Sequence, residues 1–262
     1  MDERVSGRRS AANSLVDRIQ PLAASARDGV VELFSAVHGV GVKEFAARWE
    51  WQYQRNPRGG TAAATMWSVT LDGGFAGVVG ASPARLKLFE REVLAYWVSD
   101  LMVHPAHQGR GIGTALFEWC RGLADVTLSL GLTDHATRAG RAAGFMEVTS
   151  LHFAYRVLNL ERVLAHRGVA PFLRRLLAPA RYWCAPIPER PKPPAGFTLR
   201  QVSRFDARAD QLWETVAPSI GLVVRRYMAY LNWKFAEHPY HSYVLWIAER
   251  GDALKGYVVL RR

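Results

Sequence analysis

A chain of 262 residues, 49% hydrophobic and 22% charged, has ordinary globular composition and can bury one large core or two smaller ones. Its 34 Lys and Arg against 23 Asp and Glu leave a net charge of +11, which favours an anionic partner without choosing among nucleic acid, phospholipid and a polyphosphorylated cofactor. Its two cysteines, Cys120 and Cys184, fall in no Cys-x-x-Cys or Cys/His metal spacing, which excludes a disulfide framework and leaves no metal site to expect. No run of about 18 apolar residues is present and the first residues lack a signal-peptide core, so a cytoplasmic protein is expected.

Read in chain order, residues 1–13 form a basic tail expected to be disordered. A short strand over 18–22 and a helix over 29–38 follow. Next comes an aromatic-rich stretch holding Trp49, Trp51 and Tyr53, which with Trp67, Tyr96 and Trp97 reads as core more readily than as an acceptor pocket. A hairpin over 66–80 turns at Asp72-Gly73. A long strand over 93–103 enters a glycine-rich turn, and a helix over 114–124 carries Leu116, Trp119, Cys120 and Leu123 at helical spacing. A strand over 126–130, a helix over 134–143 and a strand over 146–157 complete the segment. Residues 160–183 interleave Val163, Leu164, Phe172, Leu173, Leu176, Leu177 and Trp183 with five arginines. Such a basic amphipathic stretch could lie on an anionic membrane surface, although packing against the preceding domain is the commoner outcome. The proline-rich stretch 185–195 reads as a stiff linker.

The two ends of the chain resemble each other. Trp51-x-Tyr53-x-x-x-Pro57 and Trp233-x-Phe235-x-x-x-Pro239 share one spacing at an offset of 233 − 51 = 182. Each precedes a hairpin pattern, the second turning at Gly251-Asp252, and each follows a short strand and a helix, here over 198–202 and 207–216. Two related units are expected. The second reaches residue 262 where its long strand would begin, so it is expected either to pack on the first unit and complete its sheet or to belong to a longer frame.

Residues 98–113 read Val-Ser-Asp-Leu-Met-Val-His-Pro-Ala-His-Gln-Gly-Arg-Gly-Ile-Gly. Gly109, Gly111 and Gly113 lack a Cβ, so backbone N–H groups can crowd an anion, and the orphan amides and dipole of the following helix add to the attraction. A pyrophosphate fits. A Rossmann fingerprint would need Gly-x-Gly-x-x-Gly and a P-loop would need Gly-Lys-Ser/Thr; neither is present. The string resembles the signature of the GNAT superfamily of acyl-CoA-dependent N-acyltransferases.

The resemblance implies an α/β (α+β) fold with a mixed, largely antiparallel sheet flanked by helices: a catalytic domain over 14–158, a basic helical segment and linker over 159–195, and a partial second GNAT-like unit over 196–262. It implies acetyl-CoA as co-substrate. Backbone groups of Leu101, Met102 and Val103 would pair with the pantetheine arm, and Gln108, Gly109, Arg110, Gly111, Ile112, Gly113 and Thr114 would wrap the pyrophosphate. It also places Asp100 as general base, with a solvent-facing or structural role the alternative, while His104 and His107 decorate the cradle. The family's general-acid tyrosine falls at Gly140, leaving Tyr96, Tyr155 and His135 as substitutes. The expected function is transfer of acetyl to a primary amine of a small molecule or protein by direct attack. The alternatives are a non-catalytic CoA-binding module or, from charge alone, a nucleic-acid-binding protein; the scattered arginines match no nucleic-acid-binding motif.

Overall fold

The computed structural model describes residues 15–39, 41–57, 65–148, 160–177, 179 and 193–261. They fall in two compact units, one drawn from 1–146 with 196–262 and the other from 147–195. In the larger unit, β1 (Gln20–Pro21), α1 (Arg27–His38) and α2 (Val42–Trp49) lead into a π-helical turn (Glu50–Gln54). There follow β2 (Met66–Leu71), β3 (Gly74–Leu88), β4 (Arg91–Val103), α3 (Ile112–Arg121), β5 (Val126–Ser129) and α4 (Asp134–Ala142). The smaller unit holds α5 (Leu160–His166) and α6 (Pro171–Leu177). The larger unit resumes with β6 (Thr198–Val202), α7 (Arg208–Val216), β7 (Leu222–Val224), α8 (Met228–Leu231) with a second π-helical turn (Asn232–Ala236), β8 (Tyr243–Arg250) and β9 (Ala253–Arg261).

The main sheet runs β1-β2-β3-β4-β5, antiparallel except for the parallel β4–β5 pair. Its mixed, largely antiparallel order with flanking helices is the fold class expected. The β2–β3 hairpin turns through Asp72 and Gly73, both at positive φ as a tight two-residue turn requires. β3 runs on past Gly80 to Leu88 and pairs with β4 over most of its length, a second hairpin that the sequence reading did not draw. Pro83 interrupts nothing there. Ala81 still donates to Thr65 at the end of the β2 ladder, so the missing N–H of Pro83, two residues on, falls on the side where β2 has ended. Within the expected strand over 146–157, Met146 and Val148 are largely exposed and carry no strand pairing, and the remainder, Tyr155 included, lies outside the described residues. So do the 1–13 tail, most of the linker, and Cys184.

Two apolar clusters sandwich the sheet. On one face, Ile112, Leu116, Phe117 and Cys120 of α3 pack against Trp67, Val69, Val79, Ala81, Tyr96 and Val98. On the other, Val30 and Leu33 of α1 with Phe45 and Trp49 of α2 pack against Tyr53, Met66, Val78 and Met102. β4 serves both through a bulge. Val78 pairs with Met102 and Gly80 with Ser99, so Val79 alone stands opposite Asp100 and Leu101. Simple alternation from Tyr96 and Val98 would send Met102 to the α3 face. The extra residue instead puts Leu101 and Val103 on that face and Met102 beneath α1 and α2.

The segment over 196–261 builds a three-stranded antiparallel sheet, β6-β8-β9, while β7 joins the main sheet beside β3, with Leu86 opposite Val224. The two segments meet at matching π-helical turns, one from each. Arg55 N–H donates to Glu50 C=O, and Glu237 N–H donates to Asn232 C=O, both at 2.9 Å and both spanning five residues. Within these turns, Trp51 and Trp233 stack with ring centroids 4.6 Å apart. Trp51 Nε1–H donates to the Trp233 carbonyl at 2.7 Å, and Trp233 Nε1–H donates to the Trp51 carbonyl at 2.8 Å. Trp51 thereby belongs to the core that Phe205, Tyr230, Leu231, Leu245 and Ile247 build on the second segment.

Trp233→Ala removes a buried ring, one donor and the stacking partner of Trp51. We expect it to cost about 3–5 kcal/mol, measured as a lower urea midpoint, whereas Trp233→Phe, which keeps a ring in place, should cost about 1–2 kcal/mol.

Candidate acyl-transfer site

The ladder between β4 and β5 covers only Ala95 to Val98 on β4, yet β4 continues to Val103. Among the described residues no strand pairs with Ser99–Val103 on that side, which opens a slot along the strand. His104 N–H turns the other way, donating to Ala76 O of β3 at 2.9 Å, so alternation directs the amides of Leu101 and Val103 to the slot. The Val103 carbonyl accepts from the Gln108 side chain at 3.4 Å, drawing the next turn toward the strand end.

That turn is a cradle. After the short 3₁₀ turn Pro105–His107, capped by His104 Nδ1, Gly109 and Gly111 take φ of 77° and 83°, conformations that bring successive N–H groups to one side. A Cβ added at either glycine would meet nothing within 4 Å, so the surface in front of the loop is open. Gly113, by contrast, packs close to Leu101, Val103 and Ala139, which seats the first turn of α3 on the strand. Helical bonding begins only at Ala115 N–H to Gly111 O. The amides of Gly109, Arg110, Gly111, Ile112, Gly113 and Thr114 therefore have no acceptor among the described residues. Six such donors at a positive helix end suit a diphosphate. A separate cavity of about 490 Å³, lined by Glu32, Leu33, Asp72, Phe75, His104 and His107, lies beside the end of β4 and does not include the cradle.

At the inner end of the slot the bulge carries Asp100 at φ 51°, a left-handed backbone uncommon for a residue with a Cβ. Its carboxylate, 9% exposed, accepts from Arg48 of α2 at Oδ1 and from the Tyr53 hydroxyl at Oδ2, the latter at 2.5 Å. Gln52 Nε2 donates to Ser99 Oγ at 2.7 Å and to Ser82 Oγ at 3.4 Å, and the Tyr53 and Ser99 hydroxyls lie 3.0 Å apart. Burial, then the charge and hydrogen bond of Asp100, pushes the Tyr53 phenol well above the ordinary tyrosine value, so Tyr53 stays protonated and acts as a donor. Burial pulls Arg48 down, but Asp100, Tyr53 and Tyr240 outweigh it and hold the guanidinium above its usual value. Gly80 completes the fit, since a Cβ there would lie 2.1 Å from the Tyr53 oxygen.

Loop residues of the second segment border this network. The His238 ring meets Trp51 at a tilt, with centroids 4.5 Å apart, and stacks on His241 at 4.5 Å, and its Nδ1 accepts the His241 amide at 3.1 Å. Burial and the nearby His241, Arg261, Lys234 and Arg48 lower its pKa to about 4, so the ring is neutral at pH 7.

The residues expected to act are not all together. Leu101 and Val103 face the slot that leads to Gln108–Thr114, but Met102, expected beside them, pairs with Val78 of β3 and is buried beneath α1 and α2, because alternation turns its amide away from the slot; Ile112 is buried as well. Tyr96 is buried on the α3 face, in the cluster with Leu116 and Phe117, whereas Asp100 meets Arg48 and Tyr53 on the opposite face. His135 is exposed on α4, with Nδ1 2.9 Å from Arg138. A Cβ at Gly140 would meet Phe117 and Phe145 at 3.8 Å, ordinary contact, and the two rings lie edge to face at 5.1 Å. Cys120 is buried with its thiol pushed up to about 12, which leaves no nucleophile there for a covalent intermediate. Arg48, Gln52, Ser82 and Ser99 are not singled out by the sequence, which reads Tyr53 as core more readily than as part of an acceptor pocket.

A slot beside a bulged strand thus ends at an amide-lined helix start. Residues 62–147, less than half of the chain, match the acetyltransferase (GNAT) domain family. A conserved protein from Enterococcus faecalis described as a probable N-acyltransferase superposes with a TM-score of 0.52 at 14% identity, over 94% of this chain and 55% of that one. A putative acetyltransferase from Pyrococcus horikoshii gives 0.52 at 12% identity, over 93% of this chain and 67% of that one. Saccharomyces cerevisiae N-myristoyltransferase with bound myristoyl-CoA gives 0.55 at 13%, over 93% and 56%. At these identities the likeness is one of fold, and the chain spans little more than half the length of the first and third. No curated protein matches.

Arg48→Ala would strand the Asp100 carboxylate without its cation, at an expected cost of about 3 kcal/mol in chemical unfolding. Asp100→Gly in the same background should recover most of that loss, because glycine needs no counter-ion and tolerates the positive φ.

Proposed function

We propose that this protein transfers an acetyl group from acetyl-CoA to a primary amine of a small molecule or protein. The observation that carries the reading is the run of six unpartnered amides, Gly109 to Thr114, at the end of a strand edge left open by β5. Those amides would hold the pyrophosphate, and the Leu101 and Val103 backbone would pair with the pantetheine arm as an added strand does. The bound co-substrate supplies a thioester whose C–S bond breaks as the amine nitrogen bonds to the carbonyl carbon.

This chain's own residues then have two tasks. Asp100 accepts the proton the amine loses; of the carboxylate's roughly four acceptor positions, Arg48 and Tyr53 occupy two, and both fix its orientation. Gly109 to Thr114 hold the co-substrate's diphosphate so that its thioester end lies along β4 toward the bulge, replacing a bimolecular encounter by a positioned one. A thiol with an ordinary pKa near 8.5 is a tolerable leaving group, so the missing tyrosine at Gly140 would slow turnover by ~10²-fold rather than abolish it. The packed Phe117–Phe145 pair at that position also favours a second reading, a CoA-binding module without turnover.

Calorimetric titration tests the binding step. Acetyl-CoA should bind with micromolar affinity and Gly111→Glu, which sets a carboxylate against the diphosphate, should abolish it; equal affinity in the variant would refute the cradle. Thiol release against a panel of amines tests the chemistry. Asp100→Asn should lower kcat ~10²–10⁴-fold with unchanged acetyl-CoA affinity, unchanged turnover would remove Asp100 as base, and no turnover with any amine would favour the module.

A further inference from the structure

The proposed acyl-transfer site uses none of the described residues in the unit of residues 147–195. Its helix α6 presents Phe172, Leu173, Leu176 and Leu177, which at this spacing form one stripe, and they are 64%, 41%, 71% and 44% exposed. Val163 of α5 is 41% exposed. A helix that belongs to a core buries such a stripe; this one offers it to the surroundings. Arg174 and Arg175 fall on the remaining arc of α6, to either side of the stripe, while Arg162 lies within α5 and Arg167 directly follows it. Between Leu160 and Leu177 there are four arginines and one acidic residue, Glu161.

We propose that α5 and α6 dock on the surface of a bilayer rich in anionic phospholipid, the α6 stripe entering the acyl boundary while the arginines meet lipid phosphates. Charge selects the partner. The local excess of arginine matches the sign of the chain's +11, which an anionic surface attracts. A nucleic-acid backbone would take the arginines but offer the four apolar side chains nothing. A second copy would cover the stripe but bring arginines against arginines. The helices lie on the surface rather than cross it, since none in the described residues is long and apolar enough to span a membrane.

Sedimentation of the full chain with phosphatidylglycerol–phosphatidylcholine vesicles, against phosphatidylcholine alone, tests this. The wild type should bind the anionic vesicles, and release as salt rises. Phe172→Ser/Leu176→Ser should bind at least ~100-fold more weakly, and Arg174→Glu/Arg175→Glu roughly 10-fold or more weakly, whereas Arg174→Lys/Arg175→Lys should retain binding. Acetyl-CoA affinity and the thermal unfolding midpoint should not change in any of them, which separates this surface from the acyl-transfer reading. The proposal is overturned if wild type ignores anionic vesicles, binds both vesicle types equally, or shifts DNA mobility while leaving vesicles alone. It is equally overturned if Phe172→Ser/Leu176→Ser binds as wild type or unfolds at lower temperature, the latter meaning that the stripe is packed inside the protein.

Discussion

The extra residue in β4 is the constraint on which the rest of the structure depends. One strand must serve two cores, one under α3 and one under α1 and α2, and it must leave a free edge toward β5. Placing Asp100 and Leu101 together opposite Val79 shifts the alternation of the strand's last residues. Leu101 and Val103 then seat Gly113 and the start of α3, which aims the cradle amides at the end of the slot. The backbone strain at Asp100 is held by its own side chain: Arg48 and Tyr53 pin the carboxylate, and the two helical turns that carry them are in turn packed on Met102 and Val78. Position, charge and packing at the site are thus one arrangement.

The second segment is tied to that arrangement through tryptophan. Each indole satisfies a carbonyl of the other's π-helical turn while the two rings exclude water from both bonds, so neither turn is complete without its counterpart. Trp51 stands between Arg48 and Tyr53 in the sequence, and its ring is also the floor on which His238 rests. The clasp that holds the segment therefore borders the Asp100 network directly. The outer face of the β6-β8-β9 sheet shows the contrast with the first segment. Trp67, under α3, is 6% exposed, whereas Trp246 in the corresponding hairpin is 38% exposed beside Val258 and Leu260.

What could be read from sequence was what depends on neighbours along the chain. The strand-to-helix turn is legible because Gly109 and Gly111 take positive φ, which few other residue types adopt. Asp72-Gly73 is legible because two adjacent positive φ values admit few residue types. The offset of 182 between the Trp51 and Trp233 motifs is legible as spacing alone, and the paired hydrogen bonds of the two turns follow the same offset. The Arg48–Tyr53–Asp100 network was not legible, for a specific reason. Arg48 and Tyr53, five residues apart, lie about 140° apart around an ideal α-helix, and only the π-helical turn brings both to Asp100. Simple alternation along β4 likewise groups Asp100 with Tyr96, and only the bulge parts them.

Sequence by itself therefore determined a glycine-rich turn between a strand and a helix, most of the elements around it, the repeated motif and the basic amphipathic stretch, because each is written in consecutive residues and the conformations they allow. Tertiary structure alone decided which carboxylate, guanidinium and phenol meet, which edge of β4 stays open, and where β7 pairs. Those outcomes turn on single-residue departures from the regular periods of helix and strand, and such departures are settled by what packs on either side of the sheet.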